Sequence, residues 1–266
     1  MTEKICKIRS SVAKQKPLIH CITNPISING CANTILAVGA KPIMAEHPKE
    51  VSEITETADA LLLNLGNITD ARMESAKISL TCAKEKGIPT LLDVVGIACS
   101  TFRRTLTKEL LSISVPAVIK GNYSEIAALY DNTYASPGVD ADARLSVRAV
   151  TDAASSLART YQTVILATGE TDIVSDGTKT LYIKNGTKQL PSLTGTGCML
   201  GSLCTSFLTA ASPLHAAASA CGYFGICGQL AESEKGGGTF YMQLLDNLST
   251  LREEEIIKRI HMEVST

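Results

Sequence analysis

The chain has 266 residues, enough to bury a full hydrophobic core without disulfide or metal staples. Its 25 basic and 26 acidic side chains nearly cancel, and no basic stripe runs along it, which argues against a nucleic-acid binder. The nine cysteines, an odd number, are scattered through apolar segments without zinc-type pairing. That usage excludes a secreted disulfide framework and fits a reducing, cytoplasmic setting.

The N-terminus carries Glu3, Lys4 and Lys7 on a helical pattern and no apolar signal core. Short apolar runs then alternate with helical patterns. Strands are expected at Leu18–Ile22, Pro42–Met44, Leu61–Leu65, Thr90–Val94, Ala117–Lys120 and Val164–Ala167. Helices are expected at Ile28–Ala37, Pro48–Thr57, Asp70–Lys86, Arg103–Ser112, Glu125–Tyr130 and Arg144–Tyr161. The segment Asp131–Asp140 reads as a loop, signalled by Asn132, Pro137 and Gly138. Two later runs, Asp172–Ser175 and Thr180–Ile183, bracket Asp176-Gly177-Thr178 and read as a β-hairpin at one side of the sheet. Beyond Ser192 the pattern is mostly helical. Between Lys188 and Glu232 no Asp, Glu, Lys or Arg occurs, but Pro213 splits the stretch and small residues dominate it. Two helices buried in protein are expected there, not a membrane span.

Strand–helix alternation of this kind predicts a mainly parallel α/β sheet with helices on both faces. No linker or repeat interrupts it, so residues 1–266 read as a single domain. In open α/β sheets ligands sit beyond the carboxyl ends of the strands. Those ends here are His20–Asn24, Met44–Glu46, Asn64–Asn67, Asp93–Gly96, Lys120–Glu125 and Ala167–Glu170, and polar residues or glycines recur in all six.

The run Leu193-Thr194-Gly195-Thr196-Gly197-Cys198 carries the most chemistry. A glycine turn feeding a helix aims free N–H groups and the positive dipole end at one point, an anion site. The same helix end is expected to lower the pKa of Cys198, which could then take a proton from a group bound beside a phosphate. The plainer alternative is a glycine turn before a core helix with an inert thiol. Asp93 and Glu125 could reach magnesium through waters. Equally, Asp93 could cap a loop, and Glu125 could complete a capping box with Asn122. Lys120 could neutralise phosphate or snorkel to solvent. Thr168 and Asn24 fit turns, and Met44 fits core packing. The four histidines, the pair Asp142 and Arg144, and the run Arg252–Glu255 receive no chemical role. Phosphoryl transfer asks for positioning and charge neutralisation more than covalent chemistry, and this set offers one candidate for each part. Neither a Walker P-loop nor a protein-kinase signature is present.

Six segments together resemble the hydroxyethylthiazole kinase family of the ribokinase-like superfamily. They are Pro-Leu-Ile-His-Cys-Ile-Thr-Asn (17–24), Gly-Ala-Lys-Pro-Ile-Met-Ala (39–45), Leu-Asn-Leu-Gly (63–66), Ile-Lys-Gly-Asn-Tyr-Ser-Glu-Ile (119–126), Ala-Thr-Gly-Glu-Thr-Asp (167–172) and Leu-Thr-Gly-Thr-Gly-Cys (193–198). They follow the family's order and spacing over nearly the whole chain. The cysteine is the most telling, because other ribokinase-like proteins usually carry aspartate there. The resemblance implies a ribokinase-like fold and transfer of the ATP γ-phosphoryl group to the hydroxyl of 5-(2-hydroxyethyl)-4-methylthiazole, a thiamine salvage step. It implies Cys198 as catalytic base, Met44 and Gly195 with Asn24 at the thiazole, Lys120 and Thr168 at ATP, and Asp93 and Glu125 at magnesium. It further implies a homotrimer with sites at subunit interfaces. One departure stands out: the family's Asp-Pro-Val-Gly is Asp93-Val94-Val95-Gly96 here. Loss of the fixed proline φ is expected to loosen the turn after the aspartate.

Overall fold

A strand covered on both faces has to be apolar along most of its length. The segment Ala60–Asn64 meets that condition and is buried at every residue. The computed structural model describes residues 2–136 and 145–265. Its first half runs α1 (Thr2–Gln15), β1 (Leu18–Ile22), α2 (Ile28–Ala37), β2 (Lys41–Ile43), α3 (Val51–Glu56), β3 (Ala60–Asn64), α4 (Asp70–Lys86), β4 (Thr90–Asp93), α5 (Thr101–Ile113), β5 (Val118–Asn122) and α6 (Tyr123–Tyr130). It continues with α7 (Val147–Tyr161), β6 (Val164–Thr168), β7 (Asp172–Ser175), β8 (Thr180–Ile183), α8 (Thr196–Leu208), α9 (Pro213–Ala231), α10 (Gly237–Thr250), α11 (Glu253–Arg259) and β9 (Met262–Ser265).

Among the described residues the strands form one nine-stranded sheet, ordered β2-β1-β3-β4-β5-β6-β7-β8-β9. Neighbours from β2 to β6 are parallel, and those from β6 to β9 are antiparallel. Two cores lie on its two faces. One joins residues of α1, α2, α8, α9, α10 and α11. The other joins residues of α3 to α7. Leu62, Leu91 and Val118 belong to the first, while Leu63, Leu92 and Ile119 belong to the second. This is the period-two alternation of strands buried on both sides. Short polar caps fix the entries of several helices. Thr69, Ser100 and Ser146 accept the N–H groups of Arg72, Arg103 and Ala149 at the starts of α4, α5 and α7.

The expected strands and helices occur, with their ends shifted by up to three residues. The start of α3 is shifted by three residues because residues 48–50 form a turn closed on the His47 carbonyl by the N–H groups of Glu50 and Val51. The helix expected from Arg144 begins at Val147, and Arg144, Asp142 and the second half of the Asp131–Asp140 loop lie outside the described residues. As expected, the chain beyond Ser192 is mostly helical and the β7–β8 hairpin lies at one side of the sheet; the structure adds a short strand, β9, which pairs antiparallel with β8 at the border. Four residues are too short for a period-two signal, and their pairing is decided by the edge that β8 presents. The uncharged stretch does form two helices, α8 and α9, packed in the first core. Among the described residues no helix is long and apolar enough to cross a membrane.

Close packing of α9 depends on Gly225. A Cβ there would stand 2.6 Å from the Asn185 carbonyl carbon and oxygen, and backbone cannot yield as a side chain can. Gly225→Ala is therefore expected to destabilise the protein by about 1–3 kcal/mol through overpacking. A shift of the urea midpoint checks it, and an unchanged midpoint would mean the backbone at Asn185 moves freely.

Candidate active site

Register brings the polar strand ends together. Asn64 of β3 pairs with Asp93 of β4, and Asp93 pairs with Lys120 of β5. Each lies two residues after an apolar residue of the first core, so all three side chains point to the face that α8 covers. Lys120 Nζ donates to Asp93 Oδ2 at 3.0 Å, and Asn64 Nδ2 donates to the same oxygen at 3.1 Å. The ion pair is almost wholly buried, with side chains 4% and 1% exposed.

Helix α8 comes down on this row with two glycines, one turn apart. A Cβ on Gly201 would lie 3.4 Å from Asp93 Oδ2, and one on Gly197 3.9 Å from Lys120 Nζ. Gly195 caps the helix in the left-handed region at φ 88°, where an L side chain is strained, and sits against Ser27. The first helical bond runs from the Met199 N–H to the Gly195 carbonyl. The N–H groups of Thr196, Gly197 and Cys198 therefore precede the ladder at the positive end of a 13-residue helix.

Two amides aim at the Cys198 sulfur. Asn64 Nδ2 approaches Sγ at 3.2 Å and Asn24 Nδ2 at 3.5 Å. Their oxygen ends are already committed: Asn24 Oδ1 accepts the Ser27 N–H, and Asn64 Oδ1 accepts the Gly66 N–H and the Asn24 amide. Only the NH2 ends can face the thiol, and donors so placed favour its anion. Burial acts the other way and is the largest influence on Cys198. Burial, with the nearby Asp93 charge, pushes the thiol pKa above its ordinary value, while Lys120, Ser27 and Asn24 pull it down. The expectation of a lowered pKa is thus corrected: the helix end does not outweigh burial of the thiol. Lys120 is pushed down by burial, but Asp93, Cys198 and Glu125 together hold its pKa above the ordinary lysine value. Burial pushes the Asp93 carboxyl up, against the pull of Lys120 and Asn64.

Glu125 has the geometry of the plainer reading. Asn122 caps α6 and accepts the Glu125 N–H, while Glu125 Oε2 accepts the Asn122 N–H at 2.7 Å, a reciprocal capping box. Its Oε1 accepts the Gly96 N–H at 2.7 Å, so one carboxylate ties α6 to the turn after Asp93. Burial and the Asp93 charge push its pKa up to about 7. The turn without the proline has ties of its own. Val94 donates its N–H to the Lys120 carbonyl at 2.8 Å, a bond proline cannot make. Arg103 adds a bond from Nη1 to the Val95 carbonyl at 2.8 Å.

Among the described residues no three His, Cys, Asp or Glu side chains cluster as a metal site. Asp93 Oδ1 is nevertheless buried without a hydrogen-bond partner. One open carboxylate oxygen, with Glu125 within reach of Asp93 electrostatically, fits magnesium drawing its other ligands from water and phosphate.

Asn24, Asp93, Lys120 and Cys198 thus form one hydrogen-bonded cluster, with Gly195 at the cap of the same helix and Glu125 behind the Asp93 turn. Thr168 ends β6 opposite Asn122, and its hydroxyl donates to the Gly121 carbonyl at 3.4 Å. Met44 follows β2 and packs half-buried against the first core. Asn64 is the residue that sequence reasoning did not single out. Its only signal was a polar residue closing an apolar run, and polar residues or glycines mark the five other strand ends as well. Because Cys198 keeps a raised pKa, its alkylation rate should climb roughly tenfold per pH unit from pH 7 to 9, following the thiolate fraction. Peptide-resolved iodoacetamide labelling measures this, and a plateau below pH 8 would contradict the burial argument.

The hydroxyethylthiazole kinase family model matches residues 9–254. "Hydroxyethylthiazole kinase 1" of Clostridium botulinum (strain Loch Maree / Type A3) is 45% identical over 261 residues, covering 96% of this chain and 98% of the relative. The hydroxyethylthiazole kinase of Finegoldia magna is 39% identical, covering 98% and 96%. The solved hydroxyethylthiazole kinase protein of Pyrococcus horikoshii OT3 superposes with a TM-score of 0.91 at 33% identity, covering 99% of this chain and all of that one. A pyridoxal kinase from Staphylococcus aureus shares the fold at a TM-score of 0.65, with 14% identity and coverage of 94% and 98%. The chain belongs to the hydroxyethylthiazole kinase family and has the ribokinase-like fold.

Proposed function

We propose that this protein transfers the γ-phosphoryl group of ATP to the hydroxyl of 5-(2-hydroxyethyl)-4-methylthiazole, yielding the thiazole phosphate for thiamine salvage. The observation that carries the reading is Cys198 in the first turn of α8, with two amide donors on its sulfur beside the buried Lys120–Asp93 pair. Cys198 is the base. Its thiolate accepts the hydroxyl proton as the alcohol oxygen attacks the γ-phosphorus and the bond to the β-phosphate oxygen breaks, releasing ADP. The N–H groups at the start of α8 and the Lys120 ammonium hold the phosphate charge as it shifts. Asn24, Met44 and Gly195 form the acceptor side, and Lys120 and Thr168 the nucleotide side. Asp93 and Glu125 serve magnesium, which when bound neutralises phosphate charge and shares that of Asp93. We read the whole chain as one kinase domain, since relatives of this family match it over nearly its full length, and carry over from the family resemblance a homotrimer, with cysteine usage that suits the cytoplasm. The paired charges and the absence of a basic stripe speak for small-molecule partners, not nucleic acid or membrane.

Purified protein with ATP and magnesium should release ADP on addition of the thiazole. Release only with a hydroxymethylpyrimidine would move the activity to a sister kinase, and silence with both would favour a binding role. Within the reaction, Cys198→Ala should lower kcat by roughly 10²–10⁴-fold, the usual worth of a general base. Cys198→Asp should keep activity, because a carboxylate can accept the same proton and the same two amide bonds. An aspartate variant as slow as the alanine variant would remove Cys198 from the base role.

A further inference from the structure

The segment 44–47, between β2 and α3, is held mainly by side chains from elsewhere. His20 Nε2 donates to the Ala45 carbonyl at 3.0 Å, and Ser75 Oγ donates to the Glu46 carbonyl at 2.8 Å. The Glu46 carboxylate receives Arg72 Nε at 2.7 Å and Nη2 at 3.3 Å, a bidentate pair. The remaining fork of Arg72 is also used: Nη1 donates to the Asn67 carbonyl at 2.6 Å. Arg72 is 13% exposed and Glu46 44%, so the guanidinium is shielded more than in an ordinary surface pair.

One guanidinium therefore spans two loops. The first carries Met44, which packs on the core shared with α8. The second begins at Gly66, whose N–H binds Asn64 Oδ1 and where a Cβ would stand 2.7 Å from Asn24 Nδ2. The second loop thus adjoins the two amides that face Cys198, and Arg72 ties the first loop to it. We infer that Arg72 is a positioning residue for the acceptor alcohol: through Glu46 and Asn67 it sets the spacing of the Met44 and Gly66 loops. This rests on the reading of that side as the acceptor side. Lysine cannot replace it, because a single ammonium lacks the planar fork that reaches both loops at once.

Arg72→Lys should raise KM for the thiazole about 5- to 20-fold while kcat and KM for ATP stay within about twofold, the pattern of lost acceptor binding. Glu46→Gln should move KM the same way by less, since one amide oxygen still accepts. A lowered melting temperature with an unchanged thiazole KM would reduce the pair to a structural tie and overturn the inference. Wild-type turnover with the thiazole separately tests the acceptor reading. Should the wild type not use the thiazole, amide hydrogen exchange of the ligand-free Arg72→Lys protein decides the strut itself. Faster exchange in both 44–50 and 65–69, with β3 and β4 unchanged, supports it. Faster exchange in only one loop, or in neither, overturns it.

Discussion

The buried contact between Lys120 and Asp93 constrains everything around it. Two charges withdrawn from water rarely gain stability over an apolar pair, and losing one partner leaves the other stranded at a cost of about 3–5 kcal/mol. The fold accommodates the pair by surrounding it with fitted polar groups. Register aligns Asn64, Asp93 and Lys120 across three parallel strands, and Asn64 supplies a second donor to the same Asp93 oxygen. Gly197 and Gly201 present the bare backbone of α8 to the pair, with room for no more than a methyl group in ordinary contact with either charge. The result is a fixed cation and a fixed anion beside a helix N-terminus, with little left to reorganise when a phosphate arrives.

The two ends of the row have different partners. Toward β1 and β2 the neighbours are amides, a thiol and loops pinned by neutral or paired side chains. His20 there is pushed down in pKa by burial, and the Ala45 carbonyl can only accept, so its proton sits on Nε2, with Nδ1 2.9 Å from the Thr55 hydroxyl. Toward β5 and β6 the neighbours are backbone groups and the Glu125 carboxylate, which joins the α6 cap to the Asp93 turn. In the proposed reaction the first half takes the acceptor alcohol and the second the nucleotide.

Much of this was legible in the sequence because strands buried on both faces leave an unbroken apolar trace, and each such run ended in polar residues or glycine. Cys198, Lys120 and Asp93 stood out for chemistry and Asn24 entered only through the family resemblance, and Asn64 joins them in one hydrogen-bonded cluster. What stayed hidden depends on tertiary context. Asn64 was one polar strand end among six, and only cross-strand register gives it a purpose. Arg72 and Glu46 lie 26 residues apart, with nothing local to pair them. The sign of the Cys198 shift also failed, since a helix terminus is visible in a sequence and the depth of burial is not.

Val94 has a consequence for folding kinetics. Proline would stiffen the turn after Asp93 by restricting the unfolded chain. Valine instead ties it in the native state, through the bond from its N–H to the Lys120 carbonyl. An Asp–Pro bond interconverts over tens of seconds in the unfolded chain, whereas Asp93–Val94 stays trans. The turn beneath the ion pair can therefore form as soon as β4 meets β5, without waiting for an isomer to appear.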